Sequence, residues 1–559
     1  MLRFILIIIY LFSFSFSQNK NKTKEVVFSN YESIEEYLDL FNTSFDRLKI
    51  HYVDSVNESE MIKEGIKGMM KKLDPYTKIL EGDKKESYDI LRKGKYGGVG
   101  IQMGLRRDTL TVLAPMEDSP AYTEGINSGD QILMVDSTST IGMTTSEAAQ
   151  IIKGELGSTV ILGIYRPATK EKINFELKRD NIKVKHVPYW GIDENGVGYI
   201  RITKFSRNVS KDFKNALLEL KEQGIRGLII DLRGNSGGLL SASTNILDYL
   251  CERGEIILTQ KGKVNRSNKE WKSRRKPILD IDTPIVVLIN KSSASASEIV
   301  SGSLQDLDRA VILGQKSFGK GLVQHMFDLN DTITLKITTA KYYLPSGRLI
   351  QKEDYLNNGF LTDGLDAKDT LFTTKGGRVV RGGGGITPDI KTEISSKSQY
   401  INALWREGAF LNFAATYVPF NKDLTIPINI DAQIMNDFKK YLDEFDVNFN
   451  LTGEKEFSRL KKKIQDSNIS INSYSKNISK SSENLFLEEV EIYFKQLKEL
   501  QFSLPENQKW IKNGLLREMS RIIAGEKERI KVSLYEDDEY NRAVELILDL
   551  REYDSILEL

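Results

Sequence analysis

Serine and alanine alternate in the segment NKSSASASEIVSGSLQD, which runs from Asn290 to Asp306 behind the apolar stretch PIVVLIN. A serine hydroxyl is a poor nucleophile until a neighbouring base removes its proton. Histidine is the usual base, but the chain has three histidines, and of these His325 alone lies well inside the region where strands and helices alternate. The segment therefore predicts a nucleophilic serine, but it does not identify the base that removes the serine proton.

Lysine is the other base that the sequence offers. The segment GQKSFGKGLVQ places Lys320 between Gly319 and Gly321, directly after the apolar run AVILG. A lysine has an ordinary pKa of ~10.4, so it accepts a proton at neutral pH only where burial lowers that pKa, by up to ~3–5 units. The apolar neighbours RAVILG and GLVQHMF favour such burial. Lys320 is thus a candidate general base.

The same segment matches a phosphate-binding loop in part. Gly314, Gly319 and Lys320 fit the pattern G-x-x-x-x-G-K, but Gly321 stands where that loop needs serine or threonine for magnesium. A helix should also follow, whereas TITLKITTAKYYL predicts a strand. We therefore expect no nucleotide.

Ser295 has a purely structural alternative. Ser295 and Glu298 fit the S-x-x-E capping box at the start of a helix. Capping and catalysis are compatible, because the N–H groups and the dipole at a helix N-terminus favour an oxyanion.

The elements that must position these residues form an alternating pattern between 182 and 390. Strand-like runs are GVGYIRI, GLIIDL, PIVVLIN and AVILG. Helical stretches are Ser210 to Gln223, Leu239 to Leu250 and Ser297 to Leu307. This alternation predicts an α/β core. Short β-like runs precede it from Gly94 to Arg179, interrupted by a helix at Thr145 to Lys153.

Composition excludes several classes of protein and site. The 559 residues carry 79 Lys+Arg against 78 Asp+Glu, so nothing global indicates nucleic acid. The single cysteine, Cys251, rules out an internal disulfide, and no Cys/His cluster has metal-ligand spacing. Arg3 and the apolar run Phe4 to Phe16 predict an export signal, because a membrane span needs ~20 residues.

The motifs SASASEIVSGSLQDLDRA and SFGKGLVQ resemble those of the carboxyl-terminal processing peptidases, also called tail-specific proteases. The resemblance implies that Ser295 is the nucleophile and Lys320 the general base. It also implies that Gln324 orients the lysine and that the N–H groups of Ala296 and Gly238 bind the oxyanion. Gly238 lies in DLRGNSGG, a Gly-rich turn after a buried strand, where N–H groups can face a carbonyl.

The β-rich segment resembles a PDZ domain. In YGGVGIQMG, the residues Gly98, Val99, Gly100 and Ile101 match the loop and strand that bind a chain terminus. The resemblance implies a multidomain α/β protein, in which a PDZ domain precedes a crotonase/ClpP-like α/β peptidase core, with a helical N-terminal arm and a helical C-terminal region. The expected bounds are 1–17 for the signal peptide, 25–93 for the arm, 94–180 for the PDZ domain, 181–392 for the core and 393–559 for the C-terminal region.

The expected function is that of a serine endopeptidase, exported to the periplasm or cell envelope of a bacterium, which binds C-terminal tails and cleaves through a Ser/Lys dyad and an acyl-enzyme. Expected partners are proteins with apolar C-termini, with an adaptor or regulatory protein and a second copy of the chain as further candidates. No metal, cofactor or nucleic acid is expected. The alternative that stays open is a binding protein, a PDZ module on an inert scaffold.

Overall fold

The computed structural model describes residues 34–352, 370–393, 397–466 and 480–558. The predicted export signal, 1–17, lies outside these residues. The chain divides into a unit that ends at Ile79 and a unit that begins at Leu80. Within the described ranges, every helix is too short or too polar to cross a bilayer.

The first unit is helical, as the sequence predicted. Its helices are 34–51 and Glu58–Met70, and the Asn57 side chain caps the second by accepting the N–H of Glu60 at 3.2 Å. The segment DPY, Asp74 to Tyr76, follows the second helix and forms an Asp turn, in which the Asp74 carboxylate accepts the N–H of Thr77 at 2.8 Å.

The second unit begins with the helix Asp83–Lys93, which leads into a β-rich segment. The strands of its main sheet, in spatial order, are Ile101–Arg106, Thr109–Pro115, Gln131–Val135, Thr159–Arg166 and Glu171–Lys178, with Thr138–Ser139 paired to the third. Lys95–Gly98 pairs with Asp180–Lys183, and the helices are Pro120–Thr123 and Thr145–Ile152. Val160, Leu162 and Ile164 alternate along one strand and are buried, so one face of this sheet forms the core.

The central sheet of the α/β core has the strand order Tyr189–Ile192, Val197–Arg201, Gly227–Asp231, Ile285–Ile289, Val311–Gly314 and Ile390–Lys391. The first pair is antiparallel and the other pairs are parallel. The helices that connect the parallel strands are Val209–Glu222, Leu240–Leu250 and Ala296–Asp306. These bounds confirm the predicted helices to within one residue.

Side chains of each central strand alternate between two apolar layers. In the strand Ile285–Ile289, Val287 faces the three connecting helices, whereas Val286 and Leu288 face the last helices of the chain. Burial on both faces explains why the run PIVVLIN is continuously apolar instead of alternating with polar residues.

A second, antiparallel sheet carries the segment that follows Lys320. Four of its strands are Ile256–Gly262, Lys269–Lys272, Leu322–Asp328 and Thr334–Tyr343. Thr334–Tyr343 lies within the predicted strand TITLKITTAKYYL. The smaller elements are the hairpin Leu371–Thr373 with Val379–Arg381 and the 3-10 turn Asn265–Ser267.

The C-terminal region is helical, as predicted. Its helices are Gln399–Glu407, Ala409–Tyr417, Ala432–Phe445, Glu454–Asp466, Lys480–Leu500, Pro505–Leu534, Asp538–Leu548 and Leu550–Leu557, with 3-10 turns at Val418–Phe420 and Gln501–Ser503. Phe410, Phe413 and Phe438 pack ring against ring in a core of its own. The last two helices instead cover the second face of the central sheet, a role that the sequence did not predict.

Candidate active site

Ser295 lies in the turn that leads into the helix Ala296–Asp306. Its backbone has φ 54° and ψ −110°, and a non-glycine residue in such a conformation costs of order 1–3 kcal/mol. Neighbouring contacts hold the turn; the Ser293 hydroxyl, for example, donates to the Leu232 carbonyl at 2.9 Å. The strained turn places Ser295 at the N-terminus of the helix, where backbone N–H groups have no partner within the helix.

Glu298 connects this turn to the loop that carries Lys320. Its Oε2 accepts the N–H of Ser295 at 2.7 Å and the N–H of Lys320 at 2.9 Å. Its Oε1 accepts the Ser317 hydroxyl at 2.5 Å and the Gly319 N–H at 2.6 Å. Burial raises the pKa of Glu298 to about 7, against the effect of these four hydrogen bonds. The predicted capping glutamate therefore holds both candidate catalytic segments.

Tyr342 makes a second connection between the same segments. Its hydroxyl lies 3.3 Å from the Ser295 carbonyl oxygen and also donates to the Lys320 carbonyl. Beyond Lys320, the Gly321 N–H donates to the Gln351 side chain at 2.9 Å. The backbone of Lys320 is thus fixed on both sides, and its side chain is half-buried.

Ser295, Lys320, Gly238 and Ala296 line one pocket of about 260 Å³. The structure brings together these four residues, which the sequence selected from distant segments. Apolar side chains make up much of the remaining wall, among them Leu91, Leu240, Ile299, Leu322 and Met326. A pocket of this kind suits an apolar side chain next to the reacting bond.

Gly238 is held so that its N–H is free to face the pocket. The Phe205 N–H donates to the Gly237 carbonyl at 3.1 Å, and the Leu239 N–H donates to the Phe205 carbonyl at 2.7 Å. In this parallel bridge the flanking residues make both bonds, so the N–H of Gly238 points to the opposite side. A Cβ on Gly238 would lie 2.1 Å from the Phe205 oxygen, so the position requires glycine.

A second serine–lysine pair lies on the same pocket wall. Lys204 Nζ donates to Ser236 Oγ at 2.9 Å, and burial lowers the pKa of Lys204. Ser236 is exposed, however, and it lies in the middle of a Gly-rich loop, without the strained turn and helix N-terminus of Ser295. Sequence analysis did not select this pair, although GNSGG, Gly234 to Gly238, fits the Gly-x-Ser-x-Gly pattern of hydrolases.

Gln324 also lines the pocket, and its amide donates to the Thr338 hydroxyl at 3.4 Å. The adjacent His325 is exposed and its Nδ1 lies 2.7 Å from the Thr339 hydroxyl. Neither His325 nor His186 lines the pocket, so no base from these histidines competes with lysine there.

Asp231 is a buried residue of the site region that sequence analysis missed. It ends a central strand, and its carboxylate accepts the Tyr199 hydroxyl at 2.7 Å and the Arg201 guanidinium at 3.2 Å. Burial alone would raise its pKa, but Arg233 and Arg201 outweigh burial and hold it below its ordinary value. The signal that could have identified Asp231 in the sequence is an acidic residue at the end of an otherwise continuously apolar strand.

The predicted peptide-binding residues lie between two strands at the edge of the β-rich segment. Gly98 ends one strand and Ile101 begins the edge strand beside the helix Thr145–Ile152. The carbonyls of Val99 and Gly100 turn inward, where they accept the N–H groups of Ala121 at 3.0 Å and Met116 at 2.8 Å. An exposed edge strand beside a helix is the arrangement that receives a peptide by strand addition.

Comparison with protein families gives three matches along the chain. Residues 111–166 match the PDZ domain, residues 196–359 match peptidase family S41, and residues 400–547 match a domain described as "Probable PDZ-protease, C-terminal helical domain". The order is that of the predicted fold, with a PDZ domain before the peptidase core and a helical region after it.

Similar proteins decide the family. The carboxy-terminal-processing protease of Bartonella bacilliformis is 34% identical over 332 residues, which are 59% of this chain and 76% of that protein. The chain belongs to the carboxy-terminal processing proteases. The relative from Picosynechococcus is 38% identical over 286 residues, which are 50% of this chain and 67% of that protein. A solved photosystem II D1 C-terminal processing protease is 25% identical and covers 63% of this chain and 86% of its own, with a TM-score of 0.34.

This protease is therefore a serine peptidase with a PDZ domain that binds peptide C-termini, and the binding-only alternative is set aside. The phosphate-loop alternative also fails in the structure. The strand Leu322–Asp328 follows Lys320, at the place where a phosphate-binding loop continues as a helix.

Proposed function

We propose that this protease is an exported endopeptidase that captures the apolar C-terminal tails of proteins and cleaves them through a Ser295/Lys320 dyad. The observation that carries the proposal is the shared hydrogen bonding of Ser295 and Lys320 to Glu298, beside a pocket that also contains Gly238 and Ala296.

The reaction proceeds in two halves. Neutral Lys320 Nζ accepts the proton of Ser295 Oγ as that oxygen attacks the peptide carbonyl carbon, and the N–H groups of Gly238 and Ala296 stabilise the oxyanion. Lys320 then donates the proton to the leaving amine as the C–N bond breaks, which leaves an acyl ester on Ser295. A water molecule loses its proton to Lys320, attacks the ester and releases the carboxylate, and Ser295 regains its proton from Lys320. Gln324 is the proposed positioning residue for the Lys320 side chain.

The test uses a protein substrate with a disordered apolar C-terminus, under chelator and without nucleotide. Wild type should cleave it, and Ser295→Ala and Lys320→Ala should not. Ser236→Ala is the matched control, because Ser236 lies in the same pocket with its own lysine, Lys204, and we expect it to leave cleavage and acyl-enzyme formation intact. Mass spectrometry of a quenched reaction should find the acyl group on Ser295. Loss of cleavage in Ser236→Ala with retention in Ser295→Ala would reassign the nucleophile.

Export and assembly form a separate part of the proposal. We propose that residues 1–17 direct export to the periplasm or cell envelope, which cell fractionation and N-terminal sequencing of the mature protein test. Helix 34–51 exposes apolar side chains, including Tyr37 at 71% and Leu40 at 60%. These support a homo-oligomer through the N-terminal arm, and light scattering of wild type and of Tyr37→Ser with Leu40→Ser measures it. An adaptor or regulatory protein stays a candidate partner, to be sought by crosslinking in cells.

A further inference from the structure

Arg233 follows Asp231 in the loop DLRGNSGG, and its guanidinium uses all five of its N–H groups. Nε and Nη2 donate to the two oxygens of Asp231 at 3.0 and 2.8 Å. Nη1 and Nη2 donate to the two oxygens of Asp537 at 2.9 and 2.7 Å, and Nη1 also donates to Glu539 at 2.8 Å. Paired bonds of this kind fix both the distance and the plane of an arginine.

Two of the three carboxylates come from the far end of the chain. Asp537 is the N-cap of the helix Asp538–Leu548, where its Oδ1 accepts the N–H groups of Glu539 and Tyr540 at 3.1 Å. Glu539 also accepts the hydroxyl of Thr392. The helix itself is anchored by its apolar face on the central sheet. Asp537 and Glu539 are therefore held by the C-terminal helices and not by the loop.

The loop that carries Arg233 is bonded in turn to the Ser295 turn and leads to Gly238. The Asn235 carbonyl accepts the N–H of Ala294 at 3.1 Å and the hydroxyl of Ser297 at 2.8 Å. The Asn235 side chain accepts the N–H of Gly237 at 2.9 Å. The loop that carries Arg233 therefore also holds Gly237, the residue before Gly238.

We propose that Asp537 and Glu539 are positioning residues for the oxyanion donor Gly238, so that the C-terminal helices form part of the catalytic unit. The inference rests on the proposed function. Replacing both carboxylates by amides turns one oxygen of each group into an NH2 donor, so Arg233 loses an acceptor at Asp537 in a nearly buried site, which is unfavourable. The loop then moves to find new partners, and the N–H of Gly238 no longer meets the oxyanion.

The experiment compares Asp537→Asn/Glu539→Gln with Glu545→Gln in the full-length protein. Glu545 lies on the same helix in an exposed pair with Arg542 at 3.1 Å, so its variant removes a charge from the helix without changing the loop. One oxyanion donor is worth ~10²–10³ in kcat, so we expect its displacement to lower kcat by about 10–100-fold with KM changed by less than about threefold. The control should keep both constants.

A peptide aldehyde separates positioning from a general loss of structure. Its adduct with Ser295 carries the oxyanion, whereas the equivalent peptide alcohol has no carbonyl at that position and forms no adduct. The double variant should bind the aldehyde about 10–100-fold more weakly than wild type and bind the alcohol equally well. Because Asp537 also caps its helix, Glu539→Gln alone takes its place if the double variant does not fold.

Two results would overturn the inference while leaving the proposed function standing. One is a wild-type kcat in the double variant when Ser295→Ala is inactive. The other is a lower Tm with the aldehyde-to-alcohol affinity ratio unchanged, which would make the cluster purely structural. Activity in Ser295→Ala would instead overturn the proposed function.

Discussion

The N–H groups of Ser295 and Lys320 donate to the same carboxylate oxygen of Glu298, at 2.7 and 2.9 Å. One buried side chain therefore sets the separation of two backbone segments that come from different parts of the sequence. The arrangement fixes the backbone positions from which the Ser295 and Lys320 side chains extend.

Glu298→Gln should lower kcat strongly while the protein stays folded. Each carboxylate oxygen of Glu298 accepts two hydrogen bonds, and in the glutamine variant a nitrogen that cannot accept them replaces one of these oxygens. Two of the four hydrogen bonds between the Ser295 turn and the Lys320 loop are therefore lost. Misplacement of reacting groups by about 1 Å costs about 10²-fold, and we expect a loss of that order, measured by steady-state cleavage. Glu147→Gln is the matched control, because Glu147 caps the helix Thr145–Ile152 in the same way away from the pocket. Equal activity in both variants would contradict a role for Glu298 in catalysis.

Activity should fall on the acid side of neutrality. Lys320 must be unprotonated to accept the serine proton, and Glu298, with a pKa of about 7, must be ionised to accept four donors. Two protonations then act together, so the slope of log kcat/KM against pH should exceed one in wild type and approach one in Glu298→Gln. A wild-type profile that is flat from about pH 5 to about pH 9 would refute the lysine base.

The stability of the folded protein should fall as the pH rises, whereas its activity should rise. The pKa of Glu298 rises from 4.5 to about 7 on folding, so the folded protein binds this proton more tightly than the unfolded chain. The contribution of Glu298 to stability is complete below about pH 4.5 and is lost as the pH rises to about 7, by on the order of 3 kcal/mol. Between pH 5 and pH 8, the Tm of wild type should therefore fall more than that of Glu298→Gln. A parallel change in both proteins would contradict the raised pKa.

Gly238→Ala should lower kcat strongly, although Gly238 lies in a loop. The new Cβ would lie 2.1 Å from the Phe205 oxygen, so the bridge to Phe205 must open and the proposed oxyanion donor moves. We expect kcat to fall by about 10²–10³. Gly224→Ala is the control, since Gly224 also has a positive φ, 73°, but open space around its Cβ position. A similar loss of kcat in both variants would indicate that backbone strain, and not displacement of the Gly238 N–H, lowers activity.

The sequence was sufficient for elements whose signals are local. Continuously apolar strands and short turns predicted the α/β core, and the Ser295 and Lys320 segments each carry a motif of their own. The local pattern S-x-x-E predicted the bond between Glu298 and Ser295. It did not predict the bonds from Glu298 to Ser317, Gly319 and Lys320, because those depend on how a later loop packs against the helix.

Hydrogen-bond partners that are far apart in the chain could not be predicted from the sequence, for the same reason. Nothing near Arg233 indicates that Asp537 and Glu539 complete its hydrogen bonds from the last helices. Those helices are amphipathic, and an amphipathic pattern shows that a face is buried without showing what buries it. The sequence predicted the central sheet, but it did not predict that these helices pack on the second face of that sheet.

Tail binding should be sensitive to Gly100. A Cβ at this position would lie 2.2 Å from the Cβ of Ser119, and φ is 79°, so Gly100→Ala must displace the loop that precedes the edge strand. Fluorescence anisotropy with a labelled apolar C-terminal peptide should show at least about tenfold weaker binding. Gly142→Ala is the control within the same domain, because Gly142 has a similar φ of 81° and open space. Unchanged binding in Gly100→Ala would place the tail elsewhere.

Arg107 joins the PDZ domain to the C-terminal helices. From a hairpin tip, its guanidinium donates to the Asp446 carbonyl at 2.7 Å, pairs with Glu407 at 3.3 Å and lies 3.5 Å from the centre of the Phe445 ring. Arg107→Ala removes these contacts, so backbone amides in 105–113 and 445–448 should exchange hydrogen faster than in wild type. Lys170→Ala is the matched control, because Lys170 is a cation at the tip of another hairpin of the same domain, also with positive φ. If exchange in 105–113 is unchanged in Arg107→Ala, the PDZ domain is held without this arginine.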